Sequence, residues 1–190
     1  MNLLRKILIA LSRNQVLQDA IIQIQATRRM ARRFVAGETL DDAIQAVLAL
    51  NAEGMLATLD HLGENVANEA EAVASADEYL LALDALHAVD ARCNVSMKLT
   101  QMGLDIGQDF CFSNVVRVVQ RAAELGNFVR VDMEGSPYTT RTLDIYRRLR
   151  SQFDNVGIVI QTYLHRSQDD VEALIDEGDR PFPALQGRVR

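Results

Sequence analysis

The stretch Asn94-Val-Ser-Met-Lys-Leu99 decides how the rest of the chain is read. On a strand, side chains two apart share a face. Val95, Met97 and Leu99 therefore form an apolar face, and Asn94, Ser96 and Lys98 a polar one. A lysine set in an apolar strand loses hydration unless something holds its charge. Three roles fit Lys98: an ion pair with Asp132 or Asp60 that closes a barrel, a fixed positive charge for a substrate carboxylate, or a Schiff-base nucleophile whose amine is deprotonated by burial. The only other lysine is Lys6.

Three further short apolar runs surround this one: Met55-Leu-Ala-Thr-Leu-Asp60, Phe128-Val-Arg-Val-Asp-Met133 and Gly157-Ile-Val-Ile-Gln161. Asp60, Lys98, Asp132 and Gln161 stand at or near their carboxyl ends. Asp132 shares a face with Arg130, opposite Val129, Val131 and Met133, while Ile158 and Ile160 oppose Gln161. Helical spacing fills the intervals, at about 65–89, 113–125, 139–152 and 168–177, with Ser113 and Thr139 as expected caps and Gly126 as an expected stop. Strand starts recur roughly every 30–40 residues, the rhythm of consecutive βα units on a parallel sheet. An open doubly wound sheet is apolar on both faces. One face here turns polar toward the strand ends, as in a (β/α)8 barrel whose mouth carries the chemistry.

Ahead of these units, residues 3–35 show helical spacing and Gly37 is an expected stop. Thr39-Leu-Asp-Asp42 resembles a capping box with Asp in place of Glu. Leu40, Ala43, Ile44, Val47 and Leu48 line one stripe of the next helix, which ends near Asn51–Gly54. The expected organisation is an α/β chain: a helical lead-in over 1–52, then about four βα units of a partial (β/α)8 barrel over 53–190.

Composition narrows the function. The chain has 190 residues and a formal net charge of −6. Residues 1–37 hold seven Lys/Arg and one acid, whereas residues 38–92 hold twelve Asp/Glu and only Arg92 as a base. The basic run from Arg28 to Arg33 reads as a solvated helix face rather than a nucleic-acid site, because the chain as a whole is acidic. No apolar run reaches the roughly 18 residues of a membrane span, and the short apolar start reads as an amphipathic helix rather than a signal peptide. Cys93 and Cys111 read as reduced thiols of a cytosolic protein. With His61, His87 and His165 scattered, no metal site is expected. No glycine-rich phosphate or dinucleotide motif follows a strand. Residue patterns alone thus stop at a barrel with Lys98, Asp132 and Gln161 at its mouth. There Asp132 is either a loop cap or an active-site acid, and Gln161 either a loop anchor or a partner for a flat heterocycle.

At these residues a family resemblance enters. Val95-Ser-Met-Lys-Leu-Thr-Gln-Met-Gly-Leu-Asp105 resembles the second-strand motif of bacterial monofunctional proline dehydrogenases. Phe128–Glu134 followed by Thr142–Tyr146, and Gly157–Leu164, resemble later motifs, and Thr58–Glu64 the first. The four occur in family order, from about residue 38 onward. The resemblance implies a (β/α)8 barrel holding FAD, oxidation of L-proline to 1-pyrroline-5-carboxylate, and a quinone as electron acceptor. By that match Lys98 holds the substrate carboxylate, Asp132 is the active-site aspartate, Met133 contacts the flavin, Gln161 bonds the isoalloxazine ring and Arg190 stands beside the flavin. The missing export signal and the two reduced thiols give the expectation of a cytoplasmic protein, with a peripheral contact at the inner membrane face left open for the basic first helix.

Two departures qualify the match. Gln186-Gly-Arg-Val-Arg190 resembles the opening of a fifth strand whose continuation is missing, together with the late paired arginines. Gly135 stands where the family more often has a polar residue. The expectation is that the polypeptide as given is a fragment that neither holds FAD firmly nor oxidises proline. Two other readings remain: a lysine-dependent Schiff-base barrel aldolase acting through Lys98, and a half-barrel that serves only as an interaction module.

Overall fold

A computed structural model describes residues 36–178, with 38 and 64 excepted. The expected helix at 3–35 and Arg190 lie outside the described residues. The chain divides into two compact units, Met1–Ala46 and Val47–Arg190.

Helix α1, Leu40–Ala52, begins in the first unit and runs into the second. Its start is the expected box: the Asp42 N–H donates to Thr39 Oγ1 at 3.2 Å, and the Thr39 N–H to Asp42 Oδ2 at 3.3 Å. Two otherwise orphaned amide donors are thereby satisfied. Within the second unit, Asn51 fastens the end of α1. Its amide donates to the Met55 and Arg92 carbonyls, and its Oδ1 accepts from the Arg92 N–H at 2.7 Å.

Four strands follow in strict alternation with helices: β1 Ala57–Asp60, α2 Glu69–Ala88, β2 Cys93–Lys98, α3 Gln108–Glu124, β3 Val129–Asp132, α4 Thr139–Arg150, β4 Val156–Ile158 and α5 Ser167–Asp176. All neighbouring pairs are parallel, in the order β1-β2-β3-β4. Sequential parallel order with a helix in every crossover is what the 30–40-residue rhythm predicts. The apolar face of β2 is fully buried, and so are Val129 and Val131. Burying each of these side chains stabilises the fold by about 1.5–3 kcal/mol. Helix α2 packs on α3, α3 on β3, and α4 on β4. Cys93 and Cys111 are free thiols inside this core, where burial pushes Cys111 up to about 12 and Cys93 to about 11.

Several boundaries differ from the sequence reading. Helix α3 starts at Gln108, five residues before Ser113, because the chain leaving β2 closes on itself. Leu104 N–H donates to the Leu99 carbonyl at 2.9 Å and Gly103 takes φ +93°, which delivers Gly107 as N-cap. Ser113 is therefore interior, its hydroxyl back-bonded to the Asp109 carbonyl at 2.9 Å. Thr139 is the first residue of α4 rather than its cap; Tyr138 holds that place without a side-chain bond. Helix α2 begins at Glu69, where Asn68 Oδ1 accepts the Glu71 N–H at 3.0 Å. Gly126, at φ +65°, ends α3 as predicted. Strand β4 stops at Ile158, so Gln161 stands beyond the strand and not at its last position.

The candidate active site

The register stacks the inward-facing residues in rows. Thr58 lies beside Asn94. Above them Asp60, Ser96, Arg130 and Gly157 form a second row, and Lys98 beside Asp132 a third. The carboxyl ends of three adjacent strands thus deliver Asp60, Lys98 and Asp132 to one rim, as the alternation predicts. Asn94 and Ser96 at the base are buried; the charged groups above them are only partly so.

Lys98 is the centre of the cluster. Its Nζ donates to Asp60 Oδ2 at 2.7 Å and stands 3.8 Å from Asp132 Oδ2. Side-chain exposures of 19% for Lys98, 33% for Asp60 and 25% for Asp132 place all three between core and solvent. Arg130 reaches back across β2 to donate to Thr58 Oγ1 at 3.1 Å. Asp60, Asp132, Lys98 and Arg130 together make two carboxylates and two cations, so their formal charge cancels. Burial raises the Asp132 carboxyl above the ordinary Asp range, Lys98 opposes the shift, and the Asp60 charge adds to it.

Hydrogen bonds from α2 and the loops surround this cluster, and the strand pattern alone does not announce them. The Tyr79 hydroxyl donates to Asp60 Oδ1 at 3.2 Å and accepts the His61 N–H at 3.3 Å. Burial, reinforced by the Asp60 charge, holds this phenol protonated far above its usual range. Gln101 Nε2 lies 2.9 Å from His61 Nδ1, and His61 Nε2 lies 2.9 Å from Glu78. Glu134, just after β3, accepts the Thr100 N–H at 3.1 Å and so ties the β2 and β3 exits together. Tyr79 was legible in one respect. It sits in the Ala72, Ala76, Tyr79, Leu83, Leu86 stripe of α2, and a phenol in a buried stripe finds a partner for its hydroxyl.

The other expected site residues are placed less completely. Met133 follows β3 and is buried. Gln161 Oε1 is buried with no hydrogen-bond partner among the described residues. Extending the β3–β4 register gives Gln161 the parity of Arg130 and Asp132, but the strand ends before it. Lys98 and Asp132 are therefore brought together; Gln161 is on their side by alternation only. Among the described residues no group of His, Cys, Asp and Glu is arranged to hold a metal, and no helix is long and apolar enough to cross a membrane.

A parallel βα sheet with a lysine and two aspartates at its carboxyl rim has the layout of the mouth of a (β/α)8 barrel. Comparison with known proteins narrows the class. The proline dehydrogenase family model matches residues 43–188. The chain is 36% identical over 174 residues to proline dehydrogenase 1 of Bacillus subtilis, covering 92% of this chain and 57% of that protein. It is 38% identical over 152 residues to the proline dehydrogenase of Deinococcus radiodurans, covering 77% of this chain and 49% of that protein. A crystal structure of proline utilization A from Bdellovibrio bacteriovorus, inactivated by N-propargylglycine, superposes with TM-score 0.73 at 26% identity, over 79% of this chain and 19% of that one. Proline utilization A of Bradyrhizobium japonicum shares the fold at TM-score 0.61 and 24% identity, over 82% of this chain and 18% of that one. The chain belongs to the proline dehydrogenase family, and its parallel sheet is part of that family's (β/α)8 barrel. It spans about half the length of the curated relatives it matches.

Proposed function

We propose that this chain supplies the amino-terminal side of a site for FAD-dependent oxidation of L-proline to 1-pyrroline-5-carboxylate, with a quinone as final electron acceptor. The observation that carries the reading is the Lys98 ammonium held at the rim by Asp60 and Asp132. A fixed cation there suits the carboxylate of an amino acid. It also suits poorly a Schiff-base role, because two carboxylates around an amine favour its charged, non-nucleophilic form.

The residues present fit a flavin. Gln161 Oε1 is a buried acceptor without a described partner, as a ring N–H donor requires. In this reading Gln161 and Met133 hold the isoalloxazine ring, and Arg190 stands beside it. When bound, the flavin accepts the hydride from the ring carbon next to the proline nitrogen. The chain's own residues orient that carbon. Lys98 clamps the carboxylate, and Asp132, beside it in register and with its carboxyl raised by burial, faces the substrate's nitrogen side. The partial burial of the cluster lowers the competition from water.

The described residues carry four of the eight strands of a closed barrel, and these four strands by themselves are proposed to lose FAD on desalting. The test joins residues 1–190 to the remaining portion of the Bacillus subtilis relative and records a visible spectrum and proline-dependent dye reduction. A yellow protein that reduces dye only with proline supports the reading. A folded, yellow protein indifferent to proline contradicts it.

A further inference from the structure

We propose that Tyr79 is a positioning residue for Lys98 and acts through Asp60: its fixed hydroxyl pins one carboxylate oxygen so that the other presents to the lysine. The inference rests on the reading of Lys98 as the substrate-carboxylate ligand and deepens it.

Asp60 ends β1, an edge strand among the described residues, and a third of its side chain is exposed. An exposed aspartate normally samples several rotamers, and its ion pairs contribute little. Asp60 is different because both of its oxygens are occupied. Oδ2 accepts from Lys98 at 2.7 Å, and Oδ1 accepts from Tyr79 at 3.2 Å. A carboxylate held at both oxygens cannot swing about its terminal torsion.

Tyr79 can impose that constraint because it is itself fixed. The residue is 1% exposed, its side chain among the largest fully buried ones, in the core stripe of α2. The His61 N–H occupies a lone pair of its hydroxyl oxygen. Two acceptors compete for its single proton. Gln101 Oε1 lies at 3.5 Å, beyond a good O–H···O bond, whereas Asp60 is closer and charged. The proton therefore points at Asp60. The link runs from the core of α2, through β1, to the cation on β2, and selects Asp60 over Asp132, at 3.8 Å, as the first partner of Lys98. Arg130 and Glu134 also face the pair from β3 and its exit loop.

The full chain can be tested without flavin or proline, because it holds only two lysines and Lys6 serves as an internal reference. The rate of Lys98 acylation at pH 8, relative to Lys6, is read by peptide mass spectrometry. Asp60→Asn is expected to raise it about tenfold and Tyr79→Phe about threefold, since each weakens the hold on the charged ammonium. A Tyr79→Phe variant with unchanged far-UV dichroism and an unchanged rate overturns the proposal. An unchanged rate in Asp60→Asn overturns it as well. Should Tyr79→Phe fail to fold, the Tyr79 hydroxyl proton is followed by NMR in the unsubstituted chain and in Asp60→Asn. The proposal expects its resonance to move or to exchange away in the variant; an unmoved resonance overturns it. In the flavin-loaded joined protein, Tyr79→Phe is expected to raise KM for proline with little change in kcat. Failure of the unsubstituted, flavin-loaded joined protein to oxidise proline, with the acylation result intact, refutes the functional reading and leaves the positioning role standing.

Discussion

Lys98 and Asp60 meet at 2.7 Å although 38 positions separate them in sequence, because β1 and β2 are adjacent parallel strands that end at the same rim. The pair is the point where fold and chemistry join. The sheet fixes the two backbones, and the small side-chain set around them then decides what the cation is available to do.

Removing that cation leaves two partly buried carboxylates facing each other. Lys98→Met is expected to destabilise the chain by about 1–2 kcal/mol at pH 7, below the cost for a fully buried pair. The loss shrinks at low pH as Asp132, whose carboxyl burial raises, takes up its proton. Urea unfolding of both proteins at pH 7 and at low pH checks it.

Asp132 carries the opposite sign. Its carboxyl is raised in the folded chain, first by burial. The folded state therefore binds this proton more tightly than the unfolded one. The stability it contributes is fully present below the ordinary Asp pKa of about 3.9 and is lost as pH rises through the folded value. Asp132→Asn removes the loss. It is expected to raise the thermal midpoint by about 1–2 °C at pH 7, with no gain at low pH. Calorimetry across pH 3–8 reads the difference directly.

Two glycines at positive φ separate strain from crowding. At Gly126, φ +65°, an added Cβ meets nothing within 4 Å, so Gly126→Ala is expected to cost only about 1 kcal/mol. At Gly103, φ +93°, the Cβ would stand 2.7 Å from the Phe110 ring and 3.2 Å from Ala72. Gly103→Ala is expected to cost at least about 2 kcal/mol more, and the paired unfolding curves compare them.

Asn68→Ala tests the start of α2. It removes the acceptor of the Glu71 N–H and the amide donor to Glu71 Oε1, and is expected to cost about 1 kcal/mol. Chemical denaturation with a Glu71 amide exchange measurement checks both the size and the place of the loss.

The fold was largely legible because its signals are periodic. The alternation in Asn94–Leu99 and Phe128–Met133 assigns each side chain its face, and the register then brings Lys98 beside Asp132 without further information. Boundaries set by tertiary closure were not legible. Nothing local to Gln108 announces a helix, because the turn through Gly103 and the Leu99 carbonyl places its start. The alternation through Ile158 and Ile160 predicts Gln161 at a strand end, yet the β3–β4 pairing stops at Ile158. At the site, the cation and its acids were visible as charged residues interrupting apolar runs. Their support was not: Tyr79 reaches Asp60 through the packing of α2, and Gln101 reaches His61 from the turn after β2.

The central claim is that Lys98 binds the substrate carboxylate, and steady-state kinetics of Lys98→Met in the flavin-loaded joined protein test it most directly. Loss of a charge-assisted contact of about 1.5–3 kcal/mol predicts a KM for L-proline raised roughly 10–100-fold. A KM for L-proline equal to that of the unsubstituted protein, in a variant that still binds flavin, would contradict the account.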